Sequence, residues 1–403
     1  MLTLRLAFRN LFRHKTRLLL NLLLLIGAFS AIVLFKGFKQ YVLATMQNSK
    51  IQTQYGHIVV AKKKHFSNAA VDQVIEKMVD DPKDLIYKIG QLPEINIASA
   101  RLNFFGLVNT EDQSIPARFV GFDPKAEVNM QKNLYFADGT PFENSKSAII
   151  GLGLAKLLKV KAGSDVTIVS PTLDGGINAM DIHVQGLFNT GFTDIDNSTI
   201  FLPLVDAQKV LDTERVDEVL VHLKSDDDIS KVVPQIQGLL PNQDLQVKPW
   251  IDLDLMFLQV ENFYNFQTFV IEFILLALLV LSVSNTTNMT IFERLGEIGT
   301  LRALGDYETD IQKLFLLESI FLGVLAVAIG IPVAFCLAQL ISSLGMGLSL
   351  PFTSREISLK MTPLFSAYVE AGVICFISIV VASIWPARKG SHVSIVTALR
   401  AKI

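Results

Sequence analysis

Four apolar runs near the two ends of this chain constrain its fold more than any other feature. One run lies near the N-terminus, three are crowded near the C-terminus, and a long stretch of ordinary globular sequence separates them. They cover residues 18–35, 266–292, 314–341 and 364–385. A hydrocarbon core of ~30 Å needs about 20 apolar residues of helix, so each run predicts a membrane span. Because an anchor needs only one span, the 1+3 layout indicates that the membrane part and the soluble insertion work together.

Composition and charge exclude some classes of partner. Hydrophobic residues make up 50% of the chain, charged residues make up 18%, and the formal net charge is −2. No global basic field therefore favours nucleic acid as a partner. The two cysteines, Cys336 and Cys375, both fall in predicted spans, so the soluble insertion has no disulfide framework.

Lysines and arginines in the short flanks of the spans predict the orientation. The positive-inside rule places both termini and the segment between spans 2 and 3 in the cytoplasm, with the large insertion outside. The N-terminal run is long and lacks a small-residue cleavage site, so we interpret it as a retained anchor rather than a signal peptide. The basic residues are Arg5, Arg9, Arg13, Lys15 and Arg17, then Arg294, Arg302 and Lys313, then Arg388, Lys389, Arg400 and Lys402.

The insertion alternates short β runs, punctuated by turns, with helical stretches, which predicts a mixed α+β domain. The predicted fold class is an α+β membrane protein with four transmembrane helices (1+3) and a large α+β extracytoplasmic domain between helices 1 and 2. The predicted strands are 97–109, 115–122, 147–150, 165–170, 179–188, 199–202 and 218–223, and the predicted helices are 72–78, 82–89, 152–158, 205–211 and 229–239.

These patterns divide the chain into ten parts. The first 17 residues carry an arginine stripe and predict an interfacial helix at the cytoplasmic face, although a simple positive-inside anchor explains the same residues. The parts are interfacial helix 1–17, span 18–37, domain 38–250, stalk 251–265, span 266–292, coupling helix 293–308, span 309–344, external loop 345–362, span 363–385 and cytoplasmic tail 386–403.

The stalk is predicted from helix length. One helix over 253–292, with Asp252 as its N-cap, would be about twice as long as the hydrocarbon is thick. The excess would stand outside the membrane and join the domain to the span. A break near Asn262 is the alternative.

The segment between spans 2 and 3 is short, charged and amphipathic. Its apolar face would comprise Ile298, Leu301 and Leu304, while Gly305 would end the helix and Asp306 would cap the next one. A helix of this kind at the inner membrane face suits docking into a groove on a cytoplasmic protein. A loop lying on lipid is the alternative.

This segment resembles the FtsX/MacB/LolC–LolE permeases, the mechanotransmission class of ABC transporters. The resemblance extends to Tyr55-Gly56-His57-Ile58 and to Pro386-Ala387-Arg388, and the layout is most similar to LolC and LolE. The family pattern appears as Glu293, Arg294, Glu297, Ile298, Gly299, Arg302, Ala303 and Gly305.

The resemblance implies the partners and the location. We expect a separate cytoplasmic ABC ATPase that binds ATP and Mg²⁺, a second permease chain, identical or related, and membrane lipids as neighbours. We expect a bacterial inner-membrane protein with its domain in the periplasm. The expected ATPase-coupling residues are Glu293, Arg294, Glu297, Ile298, Leu301, Arg302 and Gly305.

No enzyme motif accompanies these features. The sequence contains no G-x-x-x-x-G-K-[ST] phosphate loop, no G-x-S-x-G elbow and no metal-ligand spacing among its six histidines. We therefore expect a non-catalytic permease with no cofactor of its own. A membrane-tethered enzyme is the least favoured alternative.

Aromatic residues around the stalk suggest the cargo. At the outer membrane level they would suit acyl chains that enter from lipid, although an ordinary interfacial belt has the same composition. We expect lipoprotein extraction towards a periplasmic acceptor, with MacB-like export of peptides or drugs, or FtsX-like signalling to a cell-wall hydrolase, as alternatives. The cavity candidates are Phe257, Phe263, Tyr264, Phe266, Phe269 and Glu272.

Polar residues within the spans carry two further expectations. Glu272 and Glu370 lie nearer the outside and could face a wet cavity, whereas Glu318 lies near the cytoplasmic end and matches the family pattern. For all three, structural contacts between helices are the alternative. The run Ser282–Asn288, rich in serine, asparagine and threonine, favours helix–helix contacts and hence a dimer.

Overall fold

The computed structural model describes residues 7–10, 13, 15–66, 77–128, 130, 134–142, 146–241, 244–345, 347–348, 353–354 and 357–394. Most of the predicted interfacial helix 1–17, most of the predicted helix 72–78, and Arg400 and Lys402 lie outside these ranges. The helices are α1 Lys15–Lys50, α2 Pro82–Gly90, α3 Leu152–Leu158, α4 Thr193–Asp196, α5 Leu204–Leu211, α6 Ile229–Leu239, α7 Leu255–Glu293, α8 Leu295–Ala303, α9 Glu308–Ser343 and α10 Phe365–Ser391.

Four of the described helices are long and apolar enough to cross a membrane. They are α1 with its helical extension, α7, α9 and α10, so the four predicted spans are confirmed by length and composition. Leu25, Phe29 and Ile32 of α1 pack with Leu279 and Val283 of α7. The same cluster includes Leu322, Ala326 and Ala334 of α9 and Ala371, Cys375 and Ile379 of α10.

The first helix is longer than the sequence boundary at residue 38 suggests. It continues to Lys50 and then through a π-helical turn, Ile51–Tyr55, because residues 38–55 contain neither glycine nor proline. Gly56 ends the helix with a φ of +60°, and a Cβ there would lie 3.0 Å from the Val221 carbonyl oxygen. Both the left-handed backbone and the close approach require glycine.

The helix that follows the domain is continuous through Asn262, from Leu255 to Glu293. Its N-terminal cap is Asp254 rather than the expected Asp252, which belongs to a short 3₁₀ turn. The Asp254 Oδ1 atom accepts a hydrogen bond from the Phe257 amide at 2.8 Å. The helix would be about 58 Å long at 1.5 Å per residue.

The fourth span also differs from its sequence boundary. Helix α10 passes through Pro386 and ends at Ser391, so the predicted cytoplasmic tail begins inside a helix. Packing explains this, because Pro386, Ala387 and Gly390 are buried. A Cβ at Gly390 would lie 2.5 Å from the Ile291 Cγ2 atom of α7, so α7 and α10 are in close contact here.

The soluble unit, residues 44–259 with 347–357, is built on one ten-stranded sheet. Its order is β10-β1-β9-β2-β3-β8-β5-β7-β4, with β6 pairing β2 and β7. Pairs β3–β8 and β5–β7 are parallel and the others are antiparallel. The strands are β1 Ile58–Lys62, β2 Ile95–Asn109, β3 Ser114–Phe122, β4 Tyr135–Gly139, β5 Ser147–Gly151, β6 Asp165–Pro171, β7 Ile177–Asn189, β8 Thr199–Pro203, β9 Glu218–Leu223 and β10 Leu245–Pro249.

Seven strands lie where the sequence predicts them, and three were missed. Strand β1 is buried at four consecutive positions and so shows no alternation of polar and apolar residues. Strands β4 and β10 are only five residues long and contain glycine or proline, which read as turn signals. The mixed α+β character of the domain is confirmed.

Part of the loop between α9 and α10 pairs with the soluble domain. Thr353 forms a β-bridge with Phe192, and the Ser354 amide donates a 3.0 Å hydrogen bond to the Gly191 carbonyl. The Ser354 hydroxyl also donates to the buried carboxylate of Asp196. The predicted external loop is therefore attached to the domain at these two residues.

Candidate functional site

The N-terminal arginines meet the glutamates of the segment that follows α7. Arg17 binds Glu293 with two parallel hydrogen bonds of 2.6 and 2.7 Å, the strong bidentate geometry of arginine and carboxylate. Arg13 is paired with Glu297. The sequence alone would assign the arginines to lipid phosphates and the glutamates to a partner protein. In the structure these arginines and glutamates form ion pairs with each other.

Arg294 points inward. Its Nη1 atom lies 2.8 Å from Glu318 Oε1 on α9, and its Nε atom lies 3.2 Å from Glu297 Oε2. Asn10 donates a 3.0 Å hydrogen bond to the same oxygen of Glu318. Glu318 therefore has a structural role, which the sequence left as one of two alternatives.

The apolar residues of α8 differ in burial. Ile298 is 3% exposed and packs with Ile291, Ile311, Phe315 and Ala387. Leu301 is partly buried against the same cluster, whereas Leu304 is 81% exposed. The expected apolar face is therefore split, with its first two members turned towards α7, α9 and α10.

Arg302 fixes the end of α8. Its guanidinium donates to the Ser391 and Val393 carbonyls at 3.0 and 2.9 Å and to Glu308 at 2.9 Å. Gly305, with a φ of +111°, ends the helix as predicted, because glycine adopts this backbone conformation without strain. Asp306 does not cap α9, whose N-cap is Tyr307 without a side-chain hydrogen bond.

Two family profiles match the chain. A profile described as the MacB-like periplasmic core domain matches residues 18–239, more than half of the sequence. The second profile, described as the FtsX-like permease C-terminal, matches residues 269–395. This chain is an FtsX-like ABC transporter permease. The resemblance seen in the sequence is therefore confirmed.

Named relatives of the permease include proteins with different roles. It is 23% identical to the lipoprotein-releasing system transmembrane protein LolE of Haemophilus influenzae, over 79% of this chain and 78% of LolE. It is 26% identical to the macrolide export ATP-binding/permease protein MacB of Campylobacter fetus, over 96% of this chain and 59% of MacB. An ABC transporter permease of Methanocaldococcus jannaschii is 27% identical, over 64% of this chain and 63% of that protein. The chain thus spans less than two thirds of MacB and of the archaeal permease.

One solved structure similar to the permease is the extracellular domain of the ABC-type transporter YknZ from Gram-positive bacteria. It is 15% identical and covers 47% of this chain and 98% of that domain, with a TM-score of 0.36.

The cavity candidates of the permease do not form one cluster. Phe257 is buried against Trp250, with ring centroids 4.8 Å apart, and Tyr264 is buried beside Phe38 at 6.2 Å. The other three aromatic candidates, Phe263, Phe266 and Phe269, are exposed together with Phe273. Phe266, Phe269 and Phe273 follow the i, i+3, i+7 spacing that places residues on one face of a helix.

Glu272 belongs to an ion-pair triad near the same end of the bundle. Lys36 of α1 lies 2.8 Å from Glu272 Oε1 of α7 and is also paired with Glu370 of α10. One cation thus joins three helices, and both glutamates have a structural contact. The sequence could not pair them, because Lys36 is far from both in the chain.

A groove of about 600 Å³ lies between α1 and α7 and is lined mostly by leucines. Gly27 and Ala28 line it on one side, and Ser282 and Asn285 line it on the other. Thr286 instead bonds Asn21 at 3.1 Å, so only part of the predicted polar run remains exposed. Small and polar residues of this kind favour contacts between helices in membranes.

Sequence reasoning missed a buried charge centre in the domain. Arg101 on β2 is 1% exposed and Glu127 is 2% exposed, and they form an ion pair. Arg101 Nη1 also donates to the Thr53 and Gln54 carbonyls at 2.7 and 3.1 Å. Burial raises the pKa of Glu127, but Arg101 outweighs it and holds that pKa below its usual range. The only signal in the sequence is an arginine within an otherwise strand-like run.

Proposed function

We propose that this chain is the permease subunit of an ABC transporter whose ATP-binding subunit is a separate cytoplasmic protein that holds ATP and Mg²⁺. In this proposal the chain lies in a bacterial inner membrane as part of a dimer, with its large domain in the periplasm and without catalytic activity of its own. The observation that supports it most is the segment 293–308, which contains a short helix between two spans. Ion pairs from Arg13 and Arg17, the buried Ile298 and the hydrogen bonds of Arg302 hold this helix in place.

Orientation can be tested by cysteine labelling in intact cells. Lys63→Cys and Asp174→Cys place thiols at exposed positions of the domain, and we expect both to react once the outer membrane is permeable. Lys389→Cys, at an exposed position near the C-terminal end of α10, should react only after the inner membrane is lysed. The reverse pattern would place the domain in the cytoplasm and contradict the proposed orientation.

For the cargo, we propose lipoproteins or similar lipid-linked molecules taken from the outer leaflet. The supporting observation is the exposed aromatic series Phe263, Phe266, Phe269 and Phe273. These residues lie on the N-terminal half of α7, where the helix would enter the outer leaflet. Each buried CH₂ contributes about 0.8 kcal/mol, so extracting acyl chains requires driven work, which ATP hydrolysis by the partner would supply. The relatives LolE and LolC, named for lipoprotein release, agree with this proposal.

Phe263→Asp is expected to reduce ATP-dependent release of a triacylated lipoprotein at least tenfold. Phe263 lies at the outer end of α7, and a carboxylate there would lose about 1.5–3 kcal/mol of apolar burial against acyl chains, which converts to a factor of about 10–140. The assay reconstitutes the permease and its ATPase in proteoliposomes and measures transfer to a soluble acceptor. Tyr87→Asp, an equally exposed aromatic of the soluble domain, is the control and should transfer normally.

MacB-like export is the second candidate, because MacB aligns with 96% of this chain. If lipoprotein transfer is absent while a peptide or a macrolide stimulates ATP hydrolysis, export is the function. If neither cargo responds but a cell-wall hydrolase is activated by the domain, the chain has an FtsX-like signalling role.

A further inference from the structure

Five consecutive exposed residues, 303–307, project from the end of α8. Leu304 is 81% exposed and Tyr307 is 76% exposed, which makes them among the most exposed large apolar side chains of the described residues. Asp306, also exposed, lies between them. We call Leu304, Gly305, Asp306 and Tyr307 the apical turn.

The apical turn is held on both sides. The Gly305 and Asp306 amides donate to the Arg302 and Leu301 carbonyls, each at 3.1 Å. Arg302 is in turn bonded to the end of α10 and to Glu308. A turn fixed in this way presents Leu304 and Tyr307 in one arrangement, so little conformational entropy is lost when a partner binds.

The charged residues of the same segment are already engaged within the chain. Glu293 binds Arg17, and Glu297 binds Arg13 and Arg294. Arg294 and Ile298 are buried. Glu293 and Glu297 are partly exposed, but a partner that binds their carboxylates must compete with these bridges, whereas the apical turn has no such competing ion pair among the described residues.

We propose that Leu304 and Tyr307, with Asp306 between them, are the residues that contact the ATPase, and that the arginine–glutamate bridges position α8 for this contact. This inference rests on the proposed function and names its docking residues. The receiving surface should offer an apolar socket for the leucine and the tyrosine ring and a cationic group opposite Asp306. The carboxylate argues against lipid as the occupant, because the cytoplasmic leaflet is negatively charged.

The experiment uses the full-length chain in its native membranes. The photoreactive residue p-benzoylphenylalanine replaces Leu304, Tyr307, Glu297 or Tyr87, one position at a time, and adducts formed under ultraviolet light are identified by mass spectrometry. We expect positions 304 and 307 to form adducts with a protein that carries a G-x-x-x-x-G-K-[ST] phosphate loop. Position 87, an exposed aromatic of the domain, should form none.

Other patterns of adducts would overturn the inference, and they distinguish a wrong choice of docking residues from a wrong proposed function. ATPase adducts at 297 but not at 304 or 307 would show that the motif charges make the contact, which leaves the proposed function intact. Lipid adducts, or adducts with a second copy of this chain, at 304 and 307 would also overturn it. The absence of ATPase adducts at all four positions, together with no ATPase in the purified complex, would contradict the proposed function itself.

Binding provides the second measurement. Leu304→Asp should reduce the ATPase recovered with the permease about thirtyfold, the effect of losing a central hot-spot residue. Glu297→Gln should reduce it less than about threefold, because a largely exposed ion pair contributes little. Equal losses in the two variants would contradict the division between contact and positioning residues.

Discussion

Arg101→Met is expected to destabilise the large domain by about 3–5 kcal/mol, because it leaves the carboxylate of Glu127 buried without its charged partner. Among the described residues, the side-chain donor that remains for Glu127 would be the Ser99 hydroxyl, at 2.7 Å from Oε1. The variant also removes the hydrogen bonds to the Thr53 and Gln54 carbonyls, which lie at the end of the helical extension of α1. Loss of both sets of contacts should loosen the link between that extension and β2.

The measurement is urea unfolding of the full chain in detergent, followed by tryptophan fluorescence. A Trp385→Phe background leaves Trp250, which is buried in the domain, as the single reporter. Arg118→Met is the matched control on the neighbouring strand. Its guanidinium makes a 3.1 Å hydrogen bond to Asn103, and we expect a loss of about 1 kcal/mol.

The double variant Arg101→Met with Glu127→Met separates charge from packing. Two apolar side chains in place of a buried ion pair often restore stability, so the double variant should recover most of the loss caused by Arg101→Met alone. If the double variant is no more stable than Arg101→Met alone, the lost hydrogen bonds to Thr53 and Gln54 dominate over the unpaired charge.

The membrane layout could be predicted from the sequence because it depends on local composition. A run of apolar residues long enough to cross lipid specifies a helix by itself, and the four runs became α1, α7, α9 and α10. The ends of these helices could not be predicted as well. Helix α10 continues through Pro386 because Gly390 packs against Ile291, and such a contact between distant residues leaves no local pattern.

The contacts of the candidate site could not be predicted either, because they also join residues that are distant in the sequence. The motif from Glu293 to Gly305 identified the family and the segment, but charge and spacing could not show which side chains face inward. Ile298 and Arg294 are buried because α9 and α10 lie beside them, and Glu293 is paired because Arg17 comes from the far end of the sequence. Burial of this kind depends on tertiary packing and cannot be read from one helix.

Two buried titratable groups in the domain are expected to produce opposite pH dependences that cancel. Burial, and then the neighbouring charge of Glu218, raises the pKa of Asp217 to about 7. Burial lowers the pKa of His222 to about 4. Asp217 therefore contributes stability below about pH 4 that is lost as pH rises to about 7. His222 contributes stability above about pH 6.5 that is lost as pH falls to about 4.

Between about pH 4 and 6.5 the folded chain carries the proton on Asp217 and the unfolded chain carries it on His222, so these two residues together add almost no slope. Asp217→Asn should remove this compensation, and the free energy of unfolding should then rise by about 1.4 kcal/mol per pH unit across that range relative to the wild type. His222→Gln should make it fall with a similar slope. Asp84→Asn, an exposed carboxylate on α2, is the control and should follow the wild type. Urea unfolding at pH 4.5, 5.5 and 6.5, reported by Trp250, measures the slopes, and an Asp217→Asn curve parallel to that of the wild type would mean that Asp217 is ionised throughout this range.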